Sequence, residues 1–231
     1  MIRSGGVFYH LRALRFKRAL WSDHQRSVEA FLDAWNPKSK ALTLIGPSAG
    51  YSLPDRFLSR FERIQAYEPD PWARMIFDQT HGKRPMWIKS GFRFLGADPI
   101  SQLPRDGSAV LFCNMLGQIE IPSTHRLKKS LETHLRDREW ASYHDALSGD
   151  GIEFDLEDVR PEKALLPKMK EWIYVRNRVA PEVEVNAHHA PDLFDGGEGL
   201  SYRYWQWRIT PKQTHLIEGV FHNARIELDP S

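Results

Sequence analysis

The spacing of apolar residues predicts a helix near the start of the chain. Over residues 21–35 apolar side chains recur at helical spacing, and Ser22 with Gln25 three positions later has the pattern of a capping box. The pair Asn36-Pro37 ends this predicted helix, because a residue before proline disfavours the helical conformation.

A second apolar stripe precedes this helix and carries arginines. Residues 7–21 repeat apolar side chains at helical spacing, with Arg18 inside the stripe and Arg12 and Arg15 beside it. A basic helix of this kind could contact RNA or phosphates, whereas the simpler interpretation is a helix that packs through its apolar side and leaves the arginines in solvent. We therefore expect N-terminal helices over residues 1–38.

An apolar run followed by glycines predicts a strand that ends in a ligand-binding loop. Residues 41–45, ALTLI, have the composition of a parallel strand buried on both faces, and Gly46 and Gly50 allow a sharp turn after it. Pro54 suits the first turn of a following helix. Such a loop directs free backbone N–H groups and the positive end of a helix at one place, so an anionic or carboxylate-bearing ligand can bind there. Many such turns, however, carry glycine for conformational reasons alone.

The second predicted strand, residues 64–67, stops at an acidic residue. Glu68 follows Gly46 by 22 positions, close to the spacing at which a carboxylate receives ribose hydroxyls. Asp70 and Pro71 have the pattern of a helix N-cap and a first-turn proline, which is a structural role. Glu68 has no local role of this kind in the sequence, so we predict that it contacts ribose.

Polar residues also follow the third and fourth predicted strands. A strand that ends near Gly96 leads to Asp98, and the continuous apolar strand of residues 109–112 leads to Asn114. Ligands bind at the carboxyl ends of strands in open α/β sheets, although each of these side chains could instead cap or turn a loop.

The C-terminal part predicts an antiparallel hairpin. Residues 201–210, SYRYWQWRIT, alternate between two sets of side chains, residues 214–223 are again strand-like, and only Pro211, Lys212 and Gln213 stand between them. Two long strands joined by so few residues must pair antiparallel. The sequence thus predicts an α/β fold with a mostly parallel central sheet, a C-terminal antiparallel hairpin and helices on both faces.

The segment before the hairpin is the hardest to interpret. A fifth strand is expected to end at His144-Asp145, where His144 could serve as a base or the pair could form a turn. The link to the hairpin is unusually long, so we predict an inserted lid or substrate-binding element at residues 151–200. Its adjacent His188 and His189 lack a second ligand pair at metal-site spacing, and we predict no metal site.

These motifs resemble those of the class I S-adenosylmethionine-dependent methyltransferases. The resemblance runs from about Trp21 to His222 and includes the loop GPSAG, the acidic end YEPD, the loop GADP and the strand VLFCNMLG. It implies a Rossmann-like methyltransferase fold, S-adenosylmethionine as cofactor, and methyl transfer to an unidentified acceptor. It implies cofactor contacts from Gly46, Ser48, Ala49 and Gly50 at the methionine part, Glu68 at the ribose, Asp98 at the adenine amino group, and Asn114 beside the cofactor.

The chain departs from the family pattern at several positions. Ser48 stands where the middle glycine of Gly-x-Gly-x-Gly is usual, Leu44 replaces an acidic residue, and Pro99 has no N–H to offer an adenine nitrogen. These differences leave open a methyltransferase-like binding or scaffold protein without catalysis. A nicotinamide oxidoreductase is a further alternative, but such dehydrogenases end in parallel units and need a tighter glycine fingerprint.

Composition limits the remaining possibilities. The chain has 231 residues, of which 41% are hydrophobic and 27% charged, and this suits one globular domain over residues 1–231. Its 32 basic and 30 acidic residues give a net charge of +2, so a small-molecule acceptor is favoured over nucleic acid, and no membrane partner is expected. The single Cys113 excludes an internal disulfide, and no apolar run has the length of a signal peptide or a transmembrane helix, so we expect a cytoplasmic protein.

Overall fold

The protein is organised around a mixed β-sheet. The computed structural model describes residues 7–88, 100, 102–115, 129–130, 133–150, 186–187 and 199–223. The helices are α1 (Val7–Leu20), α2 (Ser22–Trp35), α3 (Asp55–Leu58) and α4 (Pro71–Thr80). The strands are β1 (Ala41–Ile45), β2 (Arg63–Tyr67), β3 (Met86–Trp87), β4 (Ala109–Cys113), β5 (Trp140–Asp150), β6 (Asn186–Ala187), β7 (Leu200–Arg208) and β8 (Gln213–His222).

The order of the strands confirms the predicted fold class. They lie as β3-β2-β1-β4-β5-β8-β7, and β6 pairs with β5 off this path. Neighbours among β1 to β5 pair parallel, whereas β8 pairs antiparallel with both β5 and β7. This is a Rossmann-like sheet, mostly parallel with a C-terminal antiparallel hairpin. The strand order reverses between β1 and β4, and the carboxyl ends of strands at such a switch point form a crevice where ligands bind.

Both faces of the sheet are covered in the described part of the chain. Strand β4 is buried along its whole length and β1 along all but its first residue, as their unbroken apolar sequences predict. On one face the core contains Phe31 of α2, Phe57 of α3 and Phe77 of α4. On the other face Leu135, in a helical stretch, belongs to a second core with Phe112 of β4. Helices on both faces are therefore confirmed.

The C-terminal hairpin is also confirmed. Strands β7 and β8 pair in a continuous antiparallel register, and Trp205, Trp207 and Ile209 are buried on the face toward α2. Phe31 of α2 packs against Trp205 with ring centroids 5.7 Å apart. A Cβ atom at Gly219 would lie 2.7 Å from both of these rings, so glycine at this position allows the helix to pack closely on the hairpin.

The predicted start of α2 is wrong. The residue at the N-cap position is Trp21, which makes no side-chain capping bond, and the Ser22 hydroxyl donates instead to the Asp23 carboxylate at 3.3 Å. Trp21 is fully buried, and its indole N–H donates to the carbonyl of Ile209 at 3.2 Å. Gln25 donates to the carbonyl of Tyr51 at 2.7 Å rather than closing a capping box. Tertiary contacts thus fix this helix start, and local capping does not.

The predicted end of the fifth strand is also wrong. Strand β5 continues past His144 and Asp145 to Asp150, because β8 pairs with it over its whole length. The register shifts between Asp145 and Leu147, so Ala146 is the extra residue of a β-bulge. His144 and Asp145 therefore lie inside a strand, and the turn interpretation of this pair does not hold.

Some predictions lie outside the described residues. These are the strand that ends near Gly96, the loop with Asp98 and Pro99, and all of the predicted insertion at residues 151–200 except residues 186–187, 199 and 200. No helix in the described ranges is long and apolar enough to cross a membrane.

Candidate functional site

The loop after β1 adopts the backbone geometry that its glycines suggest. Three residues of this loop have positive φ angles: Gly46 at 63°, Ser48 at 51° and Gly50 at 66°. These are the three positions of the Gly-x-Gly-x-Gly pattern, and the left-handed region costs an L-residue about 1–2 kcal/mol. Ser48 therefore adopts a conformation that glycine would adopt more readily. The replacement of the middle glycine by Ser48 thus places a strained residue in this loop.

Close packing explains both glycines of the loop. A Cβ atom at Gly50 would lie 2.5 Å from Nε2 of His81 and 2.7 Å from the ring of Phe77. A Cβ atom at Gly46 would lie 3.3 Å from Cβ of Met115, the residue after Asn114. The loop is thus held tightly between α4 on one side and the end of β4 on the other, with Ala49 fully buried.

His81 fastens this loop to the helices around it, a role that the sequence did not indicate. Its Nε2 lies 3.1 Å from the carbonyl oxygen of Gly50, and its Nδ1 lies 2.7 Å from the carboxylate of Asp55 at the start of α3. Both partners accept hydrogen bonds, so the contacts are both complete only when both ring nitrogens carry hydrogen. The side chain is only 9% exposed. No motif marks His81, because its partners come from residues far away in the sequence.

Glu68 does have a local structural role, and the expectation that it has none is wrong. Its Oε2 accepts the backbone N–H of Ser48 at 2.8 Å, and its Oε1 accepts the N–H of Asp70 at 3.0 Å. The residue is 9% exposed. Burial raises the pKa of Glu68, and the two N–H groups oppose this effect only in part. The carboxylate therefore ties the end of β2 to the loop after β1.

Asp70 behaves as predicted. Its carboxylate accepts the N–H of Trp72 at 2.9 Å, so it is the N-cap of α4, and Pro71 follows in the first turn. Nε2 of His10 lies 3.5 Å from the other oxygen of Asp70. This contact brings α1 over the carboxyl end of β2.

Asn114 connects two strands at the same edge. It has a φ of 50°, its N–H donates to the carbonyl of Tyr143 at 2.7 Å, and its side-chain oxygen accepts the N–H of Asp145 at 2.9 Å. These bonds hold the end of β4 beside β5, so Asn114 has a structural role here. The structure brings together Gly46, Ser48, Ala49, Gly50, Glu68 and Asn114 at the carboxyl edge of β1, β2 and β4, while Asp98 is outside the described residues.

Two carboxylate–imidazole pairs lie on opposite faces of β5 and β8. On one face Nε2 of His144 is 3.2 Å from Glu218, and Nδ1 is 3.0 Å from the hydroxyl of Ser142. Glu218 also accepts the hydroxyl of Tyr204 at 2.5 Å. All members except Tyr204 are almost fully buried. Because both ring nitrogens of His144 already have partners, the sequence-based idea that His144 acts as a base finds no support in this geometry.

The second pair faces α1 and α2. Nδ1 of His215 on β8 lies 3.1 Å from Oδ2 of Asp145 on β5, which is within ion-pair distance, although the contact lacks the geometry of a hydrogen bond. His215 is 8% exposed and Asp145 is 3% exposed. The sequence pattern marks Asp145 but not His215, because a histidine in an alternating strand shows no pattern that separates it from a core residue.

A cavity of about 330 Å³ lies away from this edge. It is lined by Asn36, Pro37, Lys38, Ser39, Lys40, Arg60 and Phe61. These residues precede β1 or β2, so the cavity is at the amino end of the sheet, opposite to the glycine loop. In the ranges that the structure describes, no three His, Cys, Asp or Glu side chains are grouped so that they could hold a metal ion.

Comparisons with known proteins give similarity in fold alone. No family model matches the chain, and no curated protein matches it. It is similar to magnesium protoporphyrin IX methyltransferase (ChlM) from Synechocystis PCC 6803 with bound SAM, at 13% identity and a TM-score of 0.46 over 95% of this chain and 86% of that chain. N-methyltransferase NodS from Bradyrhizobium japonicum WM9 has 9% identity and a TM-score of 0.48 over 87% and 95%. A DhpI–SAH complex has 10% identity and a TM-score of 0.44 over 94% and 95%.

Proposed function

We propose that this protein transfers a methyl group from S-adenosylmethionine to an acceptor. The observation that carries the proposal is the buried carboxylate of Glu68, which lies beside the left-handed loop after β1, close to the switch point of the sheet. A carboxylate at this place is suited to the two hydroxyl groups of a ribose. The resemblance of the loop and of the acidic strand end to the methyltransferase pattern supports the adenosyl cofactor over other ribose-containing ligands.

The remaining hydrogen-bonding capacity of Glu68 fits such a ligand. An ionised carboxylate offers about four acceptor positions, and the N–H groups of Ser48 and Asp70 occupy one on each oxygen. Each oxygen can therefore accept one hydroxyl in addition. The existing bonds also fix the orientation of the carboxylate before a ligand arrives, which reduces the entropy lost on binding.

The other predicted contacts follow from position. The backbone of the loop Gly46–Gly50, with Ser48 and Ala49, would surround the methionine part of the cofactor, and Asn114 would border it at the end of β4. Asp98 stays a prediction for the adenine amino group. S-adenosylmethionine, when bound, supplies an activated methyl group. The protein's own contribution is to hold the acceptor in line with that group and to exclude water.

The acceptor is expected to be a small molecule. The predicted insertion at residues 151–200 is proposed to select it, since such long connections commonly form lids or substrate-binding elements. A base is needed only if the acceptor must lose a proton, so the proposal does not depend on a catalytic triad.

A non-catalytic binding or scaffold protein is the second candidate. It is favoured by the observation that Glu68 already has a protein partner on each oxygen and that Ser48 replaces a glycine in a left-handed conformation. Both features are compatible with a loop that is stable without a ligand.

Calorimetry and thermal shift decide between these candidates. We expect S-adenosylmethionine and S-adenosylhomocysteine to bind with dissociation constants in the micromolar range and to raise the melting temperature. NADH serves as the matched comparison for an oxidoreductase. If neither adenosyl ligand binds at about 1 mM by either method, the scaffold alternative is correct. Transfer of radiolabelled methyl from S-adenosylmethionine to a small-molecule extract then tests catalysis.

A further inference from the structure

The pair Asp145–His215 lies beyond the carboxyl edge of the parallel strands. The last residue of β4, Cys113, pairs with Tyr143 of β5, and Asp145 lies two residues further along. Asp145 pairs with Ile217 of β8, which runs the opposite way, so His215 lies further beyond the edge. Asp145 and His215 therefore lie on the same side of the sheet as the crevice that the carboxyl ends of β1 and β4 form.

His215 has a ring nitrogen that is buried and without a partner. Its Nε2 has no hydrogen-bond partner among the residues that the structure describes. By contrast, both nitrogens of His144 have partners. His24 accepts the indole N–H of Trp205 at its Nδ1 and contacts the hydroxyl of Ser52 at its Nε2, and burial lowers the pKa of His24 to about 3, so it stays neutral. Nε2 of His10 also makes no hydrogen bond, but it lies 3.5 Å from the carboxylate of Asp70. His215 thus has a nitrogen available for a further partner.

Aromatic rings connect the pair to the proposed cofactor site. The ring of Tyr9 on α1 is 5.7 Å from that of Tyr51, which follows the glycine loop, and 6.5 Å from that of Trp207 on β7. The ring of Trp207 is in turn 5.9 Å from that of His215. The cofactor loop and His215 thus border the same aromatic cluster.

The charged groups around His215 come from three elements. Burial lowers its pKa, but the charge and hydrogen bond of Asp145 on β5 outweigh this effect and raise the pKa overall. Asp150 of β5 acts in the same direction, and Arg12 of α1 opposes it. His24 of α2 is neutral and adds no charge. An imidazole held in this way is suited to exchange a proton near neutral pH.

We propose that His215, oriented by Asp145, is the general base that takes a proton from the methyl acceptor. This inference rests on the proposed function, and it defines the acceptor class as a compound with a hydroxyl or protonated amine group. As the acceptor's O–H or N–H bond breaks, the proton passes to Nε2 of His215. The electron pair left on the acceptor forms the bond to the methyl carbon, and the bond from that carbon to the sulfonium sulfur breaks with its electrons going to sulfur. The products are the methylated acceptor, S-adenosylhomocysteine and an imidazolium that later releases its proton to water.

The first experiment measures the titration of His215 by NMR in the complex with S-adenosylhomocysteine. We expect the pKa of its ring to lie above the ordinary value of a histidine, because Asp145 stabilises the imidazolium, with Nδ1 as the protonated nitrogen of the neutral form. Asp145→Asn should lower the midpoint, because it removes the charge that stabilises the imidazolium. His222→Gln on the same strand is the control and should leave the midpoint unchanged. A midpoint at or below the ordinary value of a histidine, or a midpoint that Asp145→Asn does not lower, overturns the proposal.

The second experiment measures transfer of radiolabelled methyl from S-adenosylmethionine to a panel of phenols, amines and a small-molecule extract. His215→Gln should reduce kcat about 10²–10⁴-fold while S-adenosylhomocysteine still binds as in the wild type, and the acidic limb of the pH profile should disappear. If His215→Gln keeps the wild-type rate and pH profile, the base assignment is wrong although the proposed function stands. If the wild type binds S-adenosylhomocysteine but labels nothing, both are overturned in favour of the scaffold protein.

Discussion

Replacement of Glu68 by alanine tests the carboxylate at the centre of the site. Its two oxygens accept the N–H of Ser48 at 2.8 Å and the N–H of Asp70 at 3.0 Å, and the residue is 9% exposed. A hydrogen bond to a charged acceptor contributes about 1.5–3 kcal/mol. Part of this loss is offset in the variant, because the free-energy cost of burying the carboxylate charge is also removed. We expect Glu68→Ala to lower the free energy of unfolding by about 2–4 kcal/mol, which is about 5–12 °C in melting temperature.

Asp70→Ala is the matched control for this variant. It removes the helix cap that accepts the N–H of Trp72 at 2.9 Å, and a lost cap costs about 1 kcal/mol, or about 2–4 °C. If the proposed function is correct, Glu68→Ala also weakens S-adenosylhomocysteine binding about tenfold or more in calorimetry. Asp70→Ala should leave that affinity nearly unchanged. Opposite results for the two variants would mean that the roles of these carboxylates are assigned the wrong way round.

The pH dependence of the melting temperature gives a sharper check. Because burial raises the pKa of Glu68, the folded protein disfavours the ionised form. The stability that Glu68 contributes is therefore fully present below its unfolded-state pKa of about 4.3, and part of it is lost as the pH rises through the folded-state pKa. The difference between wild type and Glu68→Ala should be larger near about pH 4 than near about pH 8. A difference in melting temperature that is no larger near about pH 4 than near about pH 8 would refute the reasoning.

Substitutions at Ser48, Gly50 and His81 test the loop after β1. Since Ser48 has a φ of 51°, thermal stability should fall in the order Ser48→Gly, wild type, Ser48→Val, with steps of about 1 kcal/mol; a valine variant as stable as the glycine variant would contradict the left-handed backbone. Gly50→Ala should cost about 2–4 kcal/mol in denaturant unfolding, because its Cβ would lie 2.7 Å from Phe77. Gly107→Ala is its control, with φ at 70° and open space around it, and should cost only the strain of about 1–2 kcal/mol. His81→Ala should speed hydrogen exchange of the loop amides about fivefold, as expected for about 1 kcal/mol of lost hydrogen bonding; unchanged exchange would exclude the proposed fastening of the loop.

Elements determined by a continuous local pattern could be predicted from the sequence. The run ALTLI gave the bounds of β1, because four of its five residues are apolar, as is typical of a strand buried on both faces. The helix cap at Asp70-Pro71 was also predicted correctly, because it depends on a hydrogen bond between residues that are only two positions apart. The start of α2 was missed for the opposite reason. Trp21 is fixed by the carbonyl of Ile209, and no local signal can report a contact across most of the chain.

The same distinction applies to the site. The left-handed loop was visible in the sequence because glycine is the residue that this backbone prefers, and Glu68 was visible because the spacing from one strand end to the next is regular. The bonds from Glu68 to the loop were not visible, since they depend on how β1 and β2 lie side by side. His81 and His215 gave no signal, because each acquires its role only from the elements that pack against it.

The geometry of β5 explains why His144, which the sequence offers as a base or as part of a turn, is not the base that we propose. Adjacent residues in a strand point to opposite faces, so His144 and Asp145 cannot act together although they are neighbours in the chain. His144 faces Glu218, its direct partner on β8, and this buried pair leaves no ring nitrogen for a substrate. Asp145 lies opposite Ile217, and the next residue of β8 on the same face is His215. Asp145 contacts His215 where the bulge that follows Asp145 bends and twists the strand. The residue with an available nitrogen thus comes from the other strand, at the place where the regular ladder is interrupted, and an irregularity of this kind is often found next to an active site.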